Sequence, residues 1–388
     1  MTNRPNETPE TEEVRSGKYE GKFAAKNSKK EKSKKKHRFP LLVRILFIVL
    51  IVLLALVLVA GATYLILRNS GRLKSAIVNP DTVISIADDS TGKTVINQKD
   101  DKGRVIEHNG HTYELNDHLT AILFMGIDEN ITDKSTAYGT AGQADVILLI
   151  ALDTETGHTQ ILCFPRDAYA EVGVYSADGR YIRTEFTQLC HAFAYGDQHE
   201  VSCENTVASV ERFLYGIQIP SYVALDISGI LVANDSIGGV TLNSIGDVRL
   251  TRWHTVKDGE QITLLGEEAE SYIRSRSHED IEANKARMER QRQYVQAFVS
   301  TVVQRAKGDP MSLISLYQLL ADYMVTNVGL DTATYLAPIA LKGGLHFSDD
   351  NIHTIESTVE MVDGYPMYYL DEDDLRESII NTFYIQID

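Results

Sequence analysis

Six arginines fall close together in an otherwise acidic chain. They are Arg274, Arg276, Arg287, Arg290 and Arg292, joined upstream by Arg252, in a protein of formal net charge -16. Guanidinium groups grip phosphate oxygens two at a time and never lose their charge near neutral pH. They also pair with carboxylates on solvated helix faces, and a helical wheel helps to separate the two readings. Steps of about 100° per residue from Arg287 put Gln291, Val295, Phe298 and Val302 on the same stripe, within about 80°. Arg290 falls at the edge of that stripe and Arg292 points to solvent. An arginine and a glutamine turned inward need partners, because an unpaired buried charge is very costly. The N-terminal end of a helix also favours an anion. Arg274 and Arg276, two residues apart just upstream, suit a second wall. The expectation is a pocket for pyrophosphate or polyphosphate.

Carboxylates with matching chemistry stand earlier in the chain. Asp128 closes the apolar run "LTAILFMGID", and Asp145 opens the next, "DVILLIALD". Arg166 and Asp167 follow a third run in "FPRDAYAEV". Strand ends form the rim of a layered sheet, where ligands of α/β folds bind. Two carboxylates with phosphate oxygens and water make a typical Mg²⁺ site.

The elements around these residues alternate between strands and helices, which indicates the α/β class. The three runs lack a polar alternation, as strands covered on both faces do. Asn109-Gly110 lies between two alternating segments, the strongest short hairpin signal. "ENTVASVERFLYG" has helical spacing with Gly216 as its stop. "IPSYVALDI" reads as a strand, and the following helix has Ser228 as its expected N-cap. A long helix is expected from about Asn284 to Lys307. The last 80 or so residues read as two helical segments, "DPMSLISLYQLLADYMVTN" and "DEDDLRESIINTFY".

The N-terminal end has a different composition. Residues 1–44 contain 13 Lys and Arg against 6 Asp and Glu, a net +7 that leaves -23 for the remainder. This tail has too little apolar surface to offset its ordering entropy and is expected to be disordered. Ile45–Leu67 then runs without a charged side chain. Roughly 20 apolar residues span a bilayer, and the basic flank predicts a cytoplasmic N-terminus and an exterior C-terminal body. Residues 68–116 read as stalk and hairpin, 117–307 as the catalytic body, and 308–388 as its C-terminal extension. Cys163 reads as a core thiol. Cys190 and Cys203, in an exterior body, are expected to form a disulfide. No zinc spacing is present.

The order of "LFMGID", "GQADVILLIALD…ILCFPRDAYAEV", "CHAFAYG", "SIGGV", "LLGEEAESYIRSR" and "ARMERQRQYV" resembles the LytR-CpsA-Psr family of bacterial envelope proteins over about 121–307. The resemblance implies an α/β/α sandwich with a mixed central sheet and an apolar groove for a lipid. It implies a phosphotransferase moving an anionic glycopolymer, of teichoic acid or capsular polysaccharide type, from a polyprenyl-pyrophosphate carrier to a peptidoglycan sugar hydroxyl. It implies Mg²⁺ or Mn²⁺, a membrane-lipid partner and no nucleic acid, in a Gram-positive type of envelope. By position, Asp128 and Asp145 match the metal-binding aspartates. Arg166, Arg274, Arg276, Arg287 and Gln291 match the pyrophosphate-binding residues, and Arg166, Asp167 and Asp128 the catalytic ones, with Asp167 or Asp128 as base. Two positions depart from the pattern: Gln143 stands where the family has arginine, and Asn284 where it has aspartate. A polyprenyl-pyrophosphate hydrolase, or a non-enzymatic polyprenyl-phosphate-binding regulator that attenuates transcription, would share such a site.

Overall fold

The chain divides into two units, Met1–Leu58 and Val59–Asp388. A computed structural model describes residues 62–75, 97–98, 104–129, 131, 138–139, 142–275, 281–309, 311–343, 350–362 and 364–388, all in the second unit. The basic tail, residues 45–61 of the expected membrane span and most of the stalk lie outside the described residues. Among those described, no helix is long and apolar enough to cross a membrane.

A helical stretch over 62–75 (α1) comes first. It is followed by β1 (Asn97–Gln98) and the hairpin of β2 (Val105–His108) and β3 (His111–Leu115). Asn109 and Gly110 turn this hairpin with φ of 50° and 81°, the left-handed pair that a two-residue hairpin turn requires. The three apolar runs become β4 (Leu119–Ile127), β5 (Ala144–Asp153) and β6 (Thr159–Phe164). The chain then leaves as a second hairpin, β7 (Tyr169–Tyr175) and β8 (Tyr181–Gln188), before α2 (His191–Ala194) and α3 (Glu200–Phe213). Next come β9 (Ser221–Asp226) and α4 (Ile227–Ser236). The N-cap of α4 is Asp226 rather than Ser228: its Oδ1 accepts from Gly229 N at 2.9 Å and from Ser228 Oγ at 2.5 Å. The helix therefore starts one residue before Ser228.

Short strands follow, β10 (Val240–Asn243), β11 (Val248–Arg249), β12 (Thr255–Val256) and β13 (Gln261–Leu264). They lead to α5 (Glu267–Arg274) and the long α6 (Ile281–Gly308), which begins slightly ahead of the expected Asn284. The C-terminal part supplies α7 (Met311–Leu320), β14 (Met324–Thr326), α8 (Leu330–Gly343), β15 (Ile352–Thr354), the hairpin β16 (Ser357–Val362) and β17 (Tyr365–Leu370), then α9 (Glu372–Phe383) and β18 (Tyr384–Gln386).

The central sheet has the order β14-β9-β4-β5-β6-β15. β9 runs parallel to β4 and β15 parallel to β6, while the other neighbours are antiparallel, so the sheet is mixed. Both edge strands come from beyond residue 307. The expected boundary between a catalytic body and a C-terminal extension thus runs through one sheet. The segment after α7 that reads as continuous helix turns into β14 because its residues cover the edge of β9.

Leu123, Met125 and Ile127 of β4, Ile147 and Leu149 of β5, and Leu162 and Phe164 of β6 face one way. They join Phe193, Val210 and Leu214 of the α2–α3 layer in the main core. A second core lies among β10, β13, α5 and α6, around Val240, Leu264, Tyr272 and Tyr294. At another corner α1 packs on the start of α8. Gly71 comes so close that a Cβ there would lie 2.2 Å from the Asp331 carbonyl oxygen. Ser70 Oγ donates to Asp331 Oδ2 at 2.8 Å, and Lys74 Nζ lies 2.6 Å from it.

Candidate active site

Asp128 and Asp145 meet where β4 ends and β5 begins. Gln143 N donates to Asp128 Oδ1 at 2.7 Å, and Asp128 N returns a bond to Gln143 O at 3.2 Å. The register then slips: Gly126 pairs with Val146, but Ile127 pairs with Ala144. Asp145 is the extra residue. A bulge of this kind bends a strand and re-aims a side chain, and here the carboxylate reaches the mouth of a cavity.

Arg166 is the hub of the site. It follows β6 and Pro165, and its Nη1 is ion-paired with Asp145 Oδ1. Its Nε lies 3.3 Å from Asp167 Oδ1. Its Nη2 donates to Gln143 Oε1 at 2.5 Å and to Cys190 Sγ at 3.4 Å. Gln143, one of the two departures, therefore holds Arg166 instead of adding a second cation. Asn284 falls in the first turn of α6.

The expected disulfide is not formed; Cys190 and Cys203 are both free thiols. Cys190 points at Arg166, whereas Cys203 is sealed in the main core. Burial pushes the Cys190 thiol up to about 11, with Arg166 pulling the other way. It remains a neutral thiol in contact with the guanidinium. Burial likewise lifts Cys163 to about 11, but this thiol is only partly buried and lies outside the packed core in which it was expected. His191, next to Cys190, is half-buried, and its Nδ1 lies 2.9 Å from Thr187 Oγ1. Burial, and then the charge of Arg166, lower its pKa, so the imidazole stays neutral at neutral pH.

The cavity has a volume of about 640 Å³. Its body is apolar, lined by Phe124, Leu148, Ile150, Ile230, Phe298 and Val299. Its polar lining residues are Asp128, Asp145, Arg274, Arg287 and Gln291. The inward stripe of α6 lies where the wheel puts it: Arg287, Gln291, Val295 and Phe298 all line this space. Arg274, the last residue of α5, is held 2.8 Å from Glu270 one turn back. Arg276 lies outside the described residues. Neither Arg166 nor Asp167 is part of the lining; Arg166 reaches it through its ion pair with Asp145, and Asp167 lies on the other side of Arg166, toward β7.

Arg290 is more buried than the edge position on the wheel suggests, at 5% exposure. It binds main-chain oxygens instead of a ligand. Its Nε donates to Tyr272 O at 3.1 Å, its Nη1 to Ile245 O at 3.5 Å and its Nη2 to Ser275 O. Gln291 Nε2 donates to Ile273 O at 3.2 Å. Together they fasten the end of α5, where Arg274 is carried. No sequence signal marks Arg290 as an anchor, because a wheel assigns direction and not partners. Nor does any signal mark Cys190 or His191, whose neighbour Arg166 is brought in by the sheet.

Two of the expected residues could hold a metal ion. Among the described residues no group of three or more His, Cys, Asp or Glu side chains gathers to hold one. Asp128 and Asp145 offer hard carboxylate oxygens at the mouth, which suits Mg²⁺ or Mn²⁺ sharing its remaining positions with water and phosphate. The donor set fits an ion that arrives with a phosphorylated ligand, not a permanently caged one.

The model of the LytR_cpsA_psr family matches residues 82–382, more than three-quarters of the chain. The chain belongs to the LytR_cpsA_psr family. It is 26% identical over 262 residues to the polyisoprenyl-teichoic acid–peptidoglycan teichoic acid transferase TagU of Bacillus subtilis (strain 168), covering 66% of this chain and 74% of that protein. The Bacillus licheniformis TagU is also 26% identical, over 54% of this chain and 60% of its own length. Among solved structures, B. subtilis TagV superposes with a TM-score of 0.51 at 22% identity, covering 68% of this chain and 95% of TagV. Protein gbs0355 of Streptococcus agalactiae gives 0.52 at 17% identity, covering 70% and 91%. These likenesses show the family's α/β fold with its mixed sheet. The family match reaches past residue 307 in keeping with the edge strands found there.

Proposed function

We propose that this family member is a membrane-anchored phosphotransferase. It moves an anionic cell-wall glycopolymer from a polyprenyl-pyrophosphate carrier to a peptidoglycan sugar hydroxyl on the outer side of the cell membrane. One observation carries this reading: an apolar cavity of about 640 Å³ whose polar lining is a cluster of guanidinium, carboxamide and carboxylate groups. An isoprenoid pyrophosphate has the same division, a hydrocarbon body joined to a compact polyanion. The activity for which the TagU relatives are named supports the polymer class and the acceptor. The apolar run Ile45–Leu67 supports the anchor.

In this reading the isoprenoid lies among Phe124, Leu148, Ile150 and Phe298, and the pyrophosphate meets Arg166, Arg274, Arg276, Arg287 and Gln291. The acceptor oxygen forms a bond to the phosphorus that bears the glycan. The bridging P–O bond breaks and polyprenyl phosphate leaves. The hydroxyl proton passes to a rim carboxylate, Asp167 or Asp128. Phosphoryl transfer asks a protein mainly to position reactants and neutralise charge, and the fixed guanidinium groups do both. Asp128 and Asp145 would hold Mg²⁺ or Mn²⁺, which when bound supplies further charge neutralisation at the pyrophosphate oxygens. Arg166, already paired with Asp145 and bonded to Gln143, needs little reorganisation to act.

The test is transfer of a synthetic polyprenyl-pyrophosphate glycan to peptidoglycan by the full chain with Mg²⁺, beside Arg287→Ala. We expect transfer, and a fall of about 10²-fold or more in the variant, as for loss of a preorganised electrostatic group. Glycan phosphate released to water would make the protein a hydrolase. Lipid binding without turnover would make it a regulator.

A further inference from the structure

The catalytic rim continues into a surface of stacked aromatic rings. Tyr169 lies two residues after Asp167. Its ring stacks on Phe186 of β8 at 5.3 Å and 24°, and meets Tyr369 of β17 at 5.1 Å and 45°. β17 is tied to the rim directly: Tyr368 N donates to Asp167 O at 3.0 Å, and Gln188 Nε2 donates to Pro366 O at 3.0 Å. Alternation along β17 puts Tyr365 and Met367 on the same face as Tyr369. Phe186 is 58% exposed and Tyr365 65%. Tyr169 and Tyr369 are half-buried, so the group is partly exposed, and partly exposed rings in mutual contact are a common feature of interaction surfaces.

We propose that this surface binds the acceptor: a glycan strand of uncharged N-acylated amino sugars, whose pyranose rings lie with their C–H faces on Phe186 and Tyr369, the two rings that Tyr169 supports. The inference rests on the transferase reading and names where its second substrate sits. Three observations choose that occupant. The first is placement. In-line transfer brings the nucleophile to phosphorus from the side opposite the leaving group. The leaving lipid occupies the cavity on the α6 side, so the acceptor enters from beyond the Arg166–Asp145 pair. Asp167 leads from that pair into β7. The second is charge. Glu360 stands directly across from Met367. A carboxylate there disfavours the anionic polymer and anionic lipids, and it accepts hydrogen bonds from sugar hydroxyl and amide groups. The third is chemistry. Tyrosine rings offer a flat apolar face with a hydroxyl at the end, matching a sugar's apolar face and polar rim.

The experiment uses peptidoglycan sacculi stripped of anionic polymer as the probe, with co-sedimentation of the full chain. The variants are Phe186→Ala with Tyr369→Ala, Phe186→Trp, and Arg287→Ala. We expect the double alanine variant to lose sacculus binding at least tenfold while keeping wild-type binding of the polyprenyl-pyrophosphate glycan. Phe186→Trp should retain sacculus binding, and Arg287→Ala should retain it too while losing the donor. Wild-type sedimentation of the double variant overturns the proposal. So does an equal loss of donor and sacculus binding, or a loss of binding to anionic phospholipid vesicles in place of sacculi. The two readings fail separately. Sacculus binding that depends on Phe186 and Tyr369 without any transfer keeps the glycan surface and sinks the transferase. Transfer by the double variant at the wild-type rate keeps the transferase and sinks the glycan surface.

Discussion

The two faces of the central sheet are built from the same strands and are equally apolar, yet one is filled and the other is hollow. Leu123, Met125, Ile147 and Leu149 point into a packed core against α2 and α3, with exposures of 0–1%. Their immediate neighbours Phe124, Val146, Leu148 and Ile150 point into the cavity under α4 and α6. Protein interiors normally close to crystal-like density. A face that stays open at about 640 Å³ forgoes contacts that the opposite face makes. The difference locates the ligand: apolar surface left uncovered by the chain is surface kept for something else to cover. It also explains the clustering of charge. The polar lining residues sit at the end of β4 and the start of β5, with α5 and the first half of α6 across from them, and the rest of that face is hydrocarbon.

The sharpest way to break this comparison is to truncate two adjacent residues. Leu149→Ala removes packed core and should cost about 3–4 kcal/mol, the transfer term plus a new cavity. Leu148→Ala merely enlarges an existing space and should cost about 1 kcal/mol, near the transfer cost of one or two methylenes. Urea unfolding of both variants measures the gap. Equal costs would mean that the hollow face collapses in solution. Function should invert the order: Leu148→Trp together with Ile150→Trp should reduce polyprenyl-pyrophosphate binding at least tenfold, and Leu149→Ala should reduce it little while the protein stays folded.

This contrast also defines how much could be read from the sequence. The unbroken apolar runs marked β4, β5 and β6, and covered-on-both-sides strands implied the layered fold. The wheel on α6 correctly turned Arg287 and Gln291 inward, since periodicity is fixed by local geometry. Which face would be hollow was not legible, because odd and even positions of these strands are equally apolar. The bulge at Asp145 depends on the partner strand, so sequence alone shows only an aspartate at a strand end. Cys190 and Cys203 look like a disulfide at their spacing. The fold instead gives Cys190 to Arg166 and Cys203 to the core. The edge strand β14 hides inside a segment with a helical signal and β15 lies between the two helical segments, since three residues are too short a stretch to show a period.

The guanidinium groups differ in the same way as the faces, and the next effect is smaller. Arg290 is spent on the chain's own carbonyls, whereas Arg274 is 51% exposed and paired with Glu270. Arg290→Lys cannot reproduce the three-carbonyl fork and leaves buried oxygens unpaired. It should cost about 1–3 kcal/mol. Arg274→Ala gives up one solvent-screened pair and should cost under about 1 kcal/mol. Donor binding should again rank the other way, with Arg274→Ala the weaker binder once both proteins are fully folded. If Arg290→Lys lowers donor affinity at unchanged stability, Arg290 is a ligand contact and not an anchor.

The smallest effect concerns how the hollow face is closed at its far end. There Ile122 and Leu152 pack with Tyr335 and Leu336 of α8, and α1 is fastened to the start of that helix. The Lys74 ammonium, and then the Ser70 hydroxyl, hold the Asp331 carboxyl down at about 2. A folded-state value below the ordinary one gives stability that is fully present above the ordinary carboxylate range. It is lost as pH falls from about 4 through about 2. Lys74 is 63% exposed, so screening keeps the contribution under about 1 kcal/mol. Asp331→Asn should therefore melt about 2 °C below the wild type at pH 6, and the gap should close as the pH approaches 2. A gap that persists undiminished in acid would mean that α1 is held by the close approach of Gly71 to the α8 backbone, with the carboxylate incidental.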